Sequence, residues 1–261
     1  LPDSLFPEHP ELFGLYDGKR IPQCGKILED PSKYRRGGQA NQPCTSNPET
    51  VRIMQENLVK MIQDNPDAEA FTIVNNDSGK WCECEKCKKL DPPDEAARRM
   101  VSTRFWLLVN ALVDAGKKAA PHLRFVVFAY QNFQEYPSGV SPDPRADVCF
   151  DVHHRCYLHS IGDKKCRVNK RYREILDVWH KDGRNVQTYE LTNILPRGEV
   201  WYLPLAPLLC QDLRYYHAIG NDGWCDEVSP YDGNYILRAQ KRVYTERWLG
   251  SALDLYLTAC L

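Results

Sequence analysis

The chain has 261 residues, with 34 Lys and Arg against 35 Asp and Glu, a formal net charge of −1. That balance leaves no field strong enough to hold nucleic acid or an anionic membrane, and the longest uncharged apolar run, Phe105 to Val113, is about half a membrane span. Hydrophobic residues at 43% and charged residues at 26% exclude long disorder, and the length suits one (β/α)-type barrel.

In chain order, Leu1 to Pro48 reads as loop, rich in Pro and Gly. Ser46-Asn47-Pro48-Glu49 is a helix start, with Pro near the first helical position and an acid in the first turn. The spacing of Val51, Met54, Leu58, Met61 and Ile62 predicts a helix ending near Asp64-Asn65-Pro66. Phe71 to Asp77 is an apolar strand that turns polar at its end. A long helix is expected from about Asp94 to Lys118, then strands at Arg124 to Tyr130 and Ala146 to Val152. A helix from about Asn169 to His180, a strand over Asn185 to Glu190, and a helix over Leu205 to Ala218 follow. A last strand, Gly223 to Glu227, precedes helical pattern from about Asn234 to the end.

Strands alternate with helices except for one loop link, and no period-2 hairpins stand out. This predicts a parallel α/β sheet with strands buried on both faces. Five strands fit much of a (β/α)8 TIM-like barrel, an incomplete segment lacking its first strands; an open doubly wound sheet is the alternative. The chain starts at Leu1 with no signal segment, and its last helical pattern has no stop signal. It reads as one barrel domain over 1–261, excised from a longer chain. No G-x-G-x-x-G or P-loop pattern supports nucleotide binding.

Chemistry in parallel α/β folds gathers at the C-terminal ends of strands. Those ends read Asn75-Asn76-Asp77, Tyr130-Gln131-Asn132, Asp151-Val152-His153-His154, Tyr189-Glu190 to Asn193, and Asp226-Glu227. Carboxylates, amides and aromatic rings together are the groups of sugar chemistry. Glycoside hydrolysis needs two carboxyl groups, and Asp77 is the first candidate, with Glu190 and Glu227 as partners. Asn76 and His154 are expected to hydrogen-bond sugar hydroxyls, and Trp81, Tyr130 and Tyr189 to stack on sugar rings. Each carboxylate has a plainer reading as a helix cap or ion-pair partner, and His153-His154 as hydrogen-bonded scaffold.

The 11 cysteines are an odd number, so they cannot all pair within the chain. Cys82, Cys84 and Cys87 form a C-x-C-x-x-C run beside Lys86, Lys88 and Lys89. Three thiolates on one ion, with Cys156, His159, Cys166 or Cys44 as the fourth ligand, would make a structural zinc site. A disulfide and inert reduced thiols are the other readings. Catalysis by carboxylates needs no cofactor.

Several segments together resemble the domain-of-unknown-function family 4838, bacterial proteins related to the barrel glycoside hydrolases. They are His9-Pro10-Glu11, Asp17-Gly18-Lys19-Arg20, Cys44-Thr45-Ser46-Asn47-Pro48-Glu49, and Asn76-Asp77 with the C-x-C-x-x-C run. Arg155-Cys156-Tyr157-Leu158-His159, Cys166, Asn169, Trp179 and Pro204 extend the match. The resemblance covers about residues 7 to 261 and implies a TIM-like barrel distantly akin to α-glucuronidases. It also implies an exported, secreted or periplasmic role on polysaccharide, with a carbohydrate substrate and neither nucleic acid nor a membrane span. A non-catalytic carbohydrate-binding barrel and a metal-dependent hydrolase using the Cys/His cluster are the alternatives.

Overall fold

The structure is a computed structural model describing residues 1–22, 42–190 and 206–226. Glu227, Asn193, Pro204, Cys24, Cys260 and the helical pattern after Asn234 lie outside the described residues. The elements are β1 (Leu15–Tyr16), β2 (Lys19–Arg20), α1 (Pro48–Asp64), β3 (Ala70–Ile73), α2 (Glu85–Lys88), α3 (Pro93–Ala97) and α4 (Ser102–Ala119). After them come β4 (Arg124–Ala129), β5 (Ala146–Asp151), α5 (Arg167–Lys181), β6 (Val186–Glu190), α6 (Ala206–Ala218) and β7 (Gly223–Asp226). The larger sheet is parallel, with strand order β3-β4-β5-β6-β7. The chain divides within β5 into two compact units, Leu1–Val148 and Cys149–Leu261.

In the first unit, α1 starts where its sequence signal places it. Asn47 Oδ1 accepts from the Glu49 amide at 3.0 Å and Pro48 opens the helix. Parallel pairing sets Phe71 opposite Phe125 and Ile73 opposite Val127. The first half of α4 is buried almost all round, so its continuous apolar run is a core helix and not a membrane segment. Among the described residues no helix is long and apolar enough to cross a membrane.

The expected helix from Asp94 to Lys118 is two helices. The chain turns between them, with Arg99 at a left-handed φ of 57° and the Met100 amide bonded to the Glu95 carbonyl at 2.9 Å. The buried Glu95 carboxylate accepts from the Thr103 amide (2.8 Å) and hydroxyl (2.6 Å) and from the Ser138 amide (2.8 Å). It thus places an anion at the start of α4, where orphan amides and the helix dipole favour one. Propensity alone reads straight through this break, because the cap comes from tertiary contacts.

A second departure is the ribbon of β1 and β2, which pair antiparallel. Asp17 (φ 48°) and Gly18 (φ 76°) both take positive φ, the Asp-Gly turn that matches strand twist in a two-residue hairpin. The two-residue strands are too short for an alternating pattern to register.

Where α4 meets β4, Gly116 lets the elements approach closely. A Cβ there would sit 2.4 Å from Phe125 Cζ, and the Phe125 ring is fully buried. Gly116→Ala is therefore expected to lower stability by about 1–3 kcal/mol, overpacking outweighing alanine's better helix propensity. Denaturant midpoints check this; a variant as stable as the parent would contradict the close approach.

In the second unit, β6 and β7 pair in parallel, Thr188 opposite Trp224 and Glu190 opposite Asp226. Helix α5 buries Tyr172, Ile175, Leu176 and Trp179, the 3–4 spacing of a single apolar stripe. Its expected start at Asn169 moves to Arg167, because Cys166 serves as the N-cap and its sulfur accepts from the Asn169 amide at 3.5 Å.

Candidate functional site

In the first unit, the ends of the parallel neighbours β3 and β4 meet at Asp77. Its carboxylate is exposed, and its Oδ1 accepts from the Tyr130 hydroxyl at 3.2 Å and from Gln131 Nε2 at 3.3 Å. Gln131 holds φ at +51°, a region a residue with a long side chain rarely adopts. The side-chain amide of Gln131 meets Asp77, beyond the end of β3.

The loop carrying Asp77 is braced from beneath by Gln42, which is 1% exposed. Gln42 Nε2 donates to the carbonyls of Asn76 (2.6 Å) and Ser78 (2.9 Å), and its Oε1 accepts from the Asn76 amide at 3.2 Å. One side-chain amide thus satisfies the carbonyls on either side of Asp77, those of Asn76 and Ser78, and one backbone N–H of this loop. Sequence reasoning missed Gln42 because it lies in loop-rich sequence with no periodic pattern. Its pairing through Oε1 and Nε2 is visible only once the chain has folded.

Trp81 is instead a core residue, not a sugar-stacking wall. It is 7% exposed and packs edge-on against Phe105 and Phe133, with centroids 5.9 and 5.7 Å away. Its indole N–H donates to Asn132 Oδ1 at 3.2 Å, which satisfies the one polar atom that burial would otherwise penalise. Asn132 Nδ2 in turn donates to the Gly79 carbonyl at 3.0 Å. Trp81 thereby fastens the loop that follows Asp77 to the loop that follows β4.

Beyond Trp81 lies the cysteine run. Cys82 and Cys87 are buried, Cys84 is half-buried, and the fourth thiol among them is that of buried Cys44. The four sulfurs lie within 4.8 Å of one another. Cys44 Sγ is 3.8 Å from the sulfurs of both Cys84 and Cys87. Hydrogen bonding from Cys82 and Cys87 pulls the Cys44 thiol far below the usual thiol range, and the contact with Cys44 pushes Cys82 far above it. Cys156 belongs to a different group, with His159 and Cys166. Its Sγ is 3.2 Å from His159 Nδ1.

In the second unit, Glu190 is wholly buried. Its Oε2 accepts from Arg155 Nε at 2.8 Å and the Tyr157 hydroxyl at 3.0 Å, and its Oε1 accepts from the Tyr216 hydroxyl at 2.8 Å. Arg155 Nη2 donates to Asp212 at 2.6 Å, and Asp212 also accepts from the Ile161 amide at 2.7 Å. Burial pushes the Glu190 carboxyl above the usual carboxylate range, and the Arg155 charge pulls against it. Burial likewise works against the charge of Arg155, but Glu190 and Asp212 outweigh it and hold the guanidinium above its ordinary value. Neither Arg155 nor Asp212 was singled out as a site residue, since their partners are 35 and 57 residues away from Arg155.

His154 is exposed and Tyr189 half-buried. Asp151 accepts from the His153 amide at 2.7 Å, turning the chain at the end of β5. Asn169 bonds the backbone of Cys156, His159 and Ser160 and so orders the loop before α5. A cavity of about 730 Å³ opens beside that loop, its walls including Tyr157, Leu158, Gln211 and Tyr215.

Fold and strand ends together define a parallel α/β protein with an exposed carboxylate held by its neighbours at one strand end. The chain belongs to the family described as Domain of unknown function (DUF4838), whose model matches residues 1–252. No curated protein matches it. Among solved structures it is similar to the cellulose synthase subunit Z (CcsZ) from Clostridioides difficile, at 10% identity and a TM-score of 0.47, over 74% of this chain and 65% of that one. Bee venom hyaluronidase in complex with a hyaluronic acid tetramer matches at 15% identity and a TM-score of 0.34, over 77% of this chain and 62% of that one. Monoclinic bee venom hyaluronidase matches at 16% identity and a TM-score of 0.39, over 92% of this chain and 83% of that one. The chain thus spans just under two thirds of the first two structures.

Proposed function

We propose that the chain is a glycoside hydrolase-like domain, much of a (β/α)8 barrel, that acts on a glycan with Asp77 as the carboxylate facing the sugar. One observation carries the reading: Gln131, strained at φ 51°, and Tyr130 both aim donors at Asp77 Oδ1. Strain of this kind costs about 1–3 kcal/mol and persists where the surrounding structure enforces it, often at functional sites. Both hydrogen bonds fall on Oδ1, so Oδ2 is left to act on a sugar carbon or an attacking water. Asn76 and Tyr130 flank it as hydroxyl and ring contacts, and His154 and Tyr189 keep the sugar-contact roles their strand ends suggest.

Hydrolysis requires a second carboxyl group. Both oxygens of Glu190 already serve Arg155 and two tyrosines, so we assign the second role to Glu227. We further propose export to the periplasm or the cell exterior, the localisation that the family resemblance implies.

The commitment of Glu190 to that buried network also favours a second reading, a carbohydrate-binding domain without turnover. Incubation of the protein with a panel of polysaccharides and aryl glycosides separates the two. Release of sugar is expected. Binding without release would assign the chain to the second reading, and neither binding nor release would contradict both.

A further inference from the structure

We propose that Cys44, Cys82, Cys84 and Cys87 bind one zinc ion in a closed tetrathiolate site that anchors the loop carrying Asp77. The spacing of the sulfurs is the first argument. With Zn–S bonds of about 2.3 Å, the sulfurs of a tetrahedral site lie about 3.8 Å apart. Cys44 stands at 3.8 Å from both Cys84 and Cys87, and all four sulfurs lie within 4.8 Å of one another. Two sulfurs equally near a third describe a shared centre rather than one committed disulfide pair.

The surroundings are those of thiolate ligands. The Leu15 amide donates to Cys82 Sγ at 3.3 Å and the Cys87 amide to Cys84 Sγ at 3.4 Å. The Cys87 thiol donates to the Ser46 hydroxyl at 3.1 Å, and that hydroxyl, 3.7 Å from the Cys84 sulfur, can turn to donate once the thiol loses its proton. Donors around the sulfurs orient and stabilise metal-bound thiolates. Four thiolates on a divalent ion leave a net charge of −2, and Arg20 supplies a guanidinium at 3.8 Å from Cys82 Sγ. An all-sulfur set selects a soft tetrahedral ion and rejects calcium or magnesium, which need oxygen.

Such an ion would join three stretches distant in sequence. Cys44 lies just before α1, the C-x-C-x-x-C run follows Asp77 by five residues, and the β1–β2 ribbon is tied in through Leu15 and Arg20. The Glu83 amide completes the link to the ribbon at the Leu15 carbonyl, at 2.8 Å. With no open coordination position, the ion would be structural and would take no part in turnover. The proposal is independent of the glycan reading.

The test is the metal content of the whole chain purified under reducing conditions from zinc-supplemented cells, read by elemental analysis. The parent is expected to carry an equivalent of zinc that Cys44→Ser lacks and that Cys149→Ala, altering a thiol outside the cluster, retains. Because Cys44→Ser could simply misfold, the parent is also loaded with cobalt. Intense thiolate-to-cobalt charge-transfer absorption with tetrahedral visible bands is expected, shifted but kept in Cys84→His. A parent without zinc or cobalt bands would overturn the proposal. So would iron in place of zinc, an equal zinc content in Cys44→Ser, or a mapped disulfide within the four cysteines.

Discussion

Arg155→Met is expected to destabilise the protein by about 3–5 kcal/mol, the cost of leaving buried carboxylates without their countercharge. Arg155, Glu190 and Asp212 have side chains at most 1% exposed, so water cannot replace the lost guanidinium. The two acids would have to stay charged without a partner or take up protons. Because Arg155 and Glu190 share one network, Arg155→Met with Glu190→Leu should cost less than the two single changes summed. Denaturant unfolding of the three variants measures both quantities. An Arg155→Met loss below about 1 kcal/mol, the scale of an exposed pair, would contradict the assignment of this cluster to the core.

Asp77→Asn is expected to lower kcat/KM on a cleaved glycan by about 10²–10⁴-fold, the usual contribution of a positioned acid or base. Asn keeps an oxygen to accept from Tyr130 and Gln131, so geometry survives while the charge and basicity go. Asp77 is exposed, and stability should change little, which distinguishes a chemical defect from a folding one. Steady-state kinetics beside a thermal melt reads both. Unchanged turnover would remove Asp77 from the chemistry.

Much of the fold was legible because its signals are local. Asn47-Pro48 announces α1 by capping chemistry, and the apolar run before Tyr130 announces β4. The end of β4 was legible for the same reason, since a buried strand must change from apolar to polar as it leaves the sheet. Strand β3 instead alternates exposed with half-buried or buried residues and ends at Ile73, four residues before Asp77. Asp77, Tyr130 and Gln131 could still be named from the sequence, though not their hydrogen bonds.

What could not be read depends on contacts between distant segments. Glu95 looks like an ordinary helical residue, yet it ends one helix and caps the next because Thr103 and Ser138 fold onto it. Trp81 sits in a polar, lysine-rich stretch that predicts exposure, and Phe105 and Phe133 draw it inside. The C-x-C-x-x-C spacing identified three sulfurs, but it pointed to Cys156 as the fourth, with Cys44 only among the alternatives, whereas Cys156 groups with His159 and Cys166. Only the packing of the residues before α1 against that run selects Cys44. Glu190 reads as a strand-end acid, and the tyrosines and arginine that enclose it come from separate segments.

The most direct measurement is a crystal structure of the protein with a bound oligosaccharide from the glycan panel. A sugar ring within hydrogen-bonding distance of the Asp77 carboxylate, beside Tyr130 and Gln131, is the predicted result. A glycan held away from Asp77, for instance solely in the cavity walled by Leu158 and Tyr215, would contradict it.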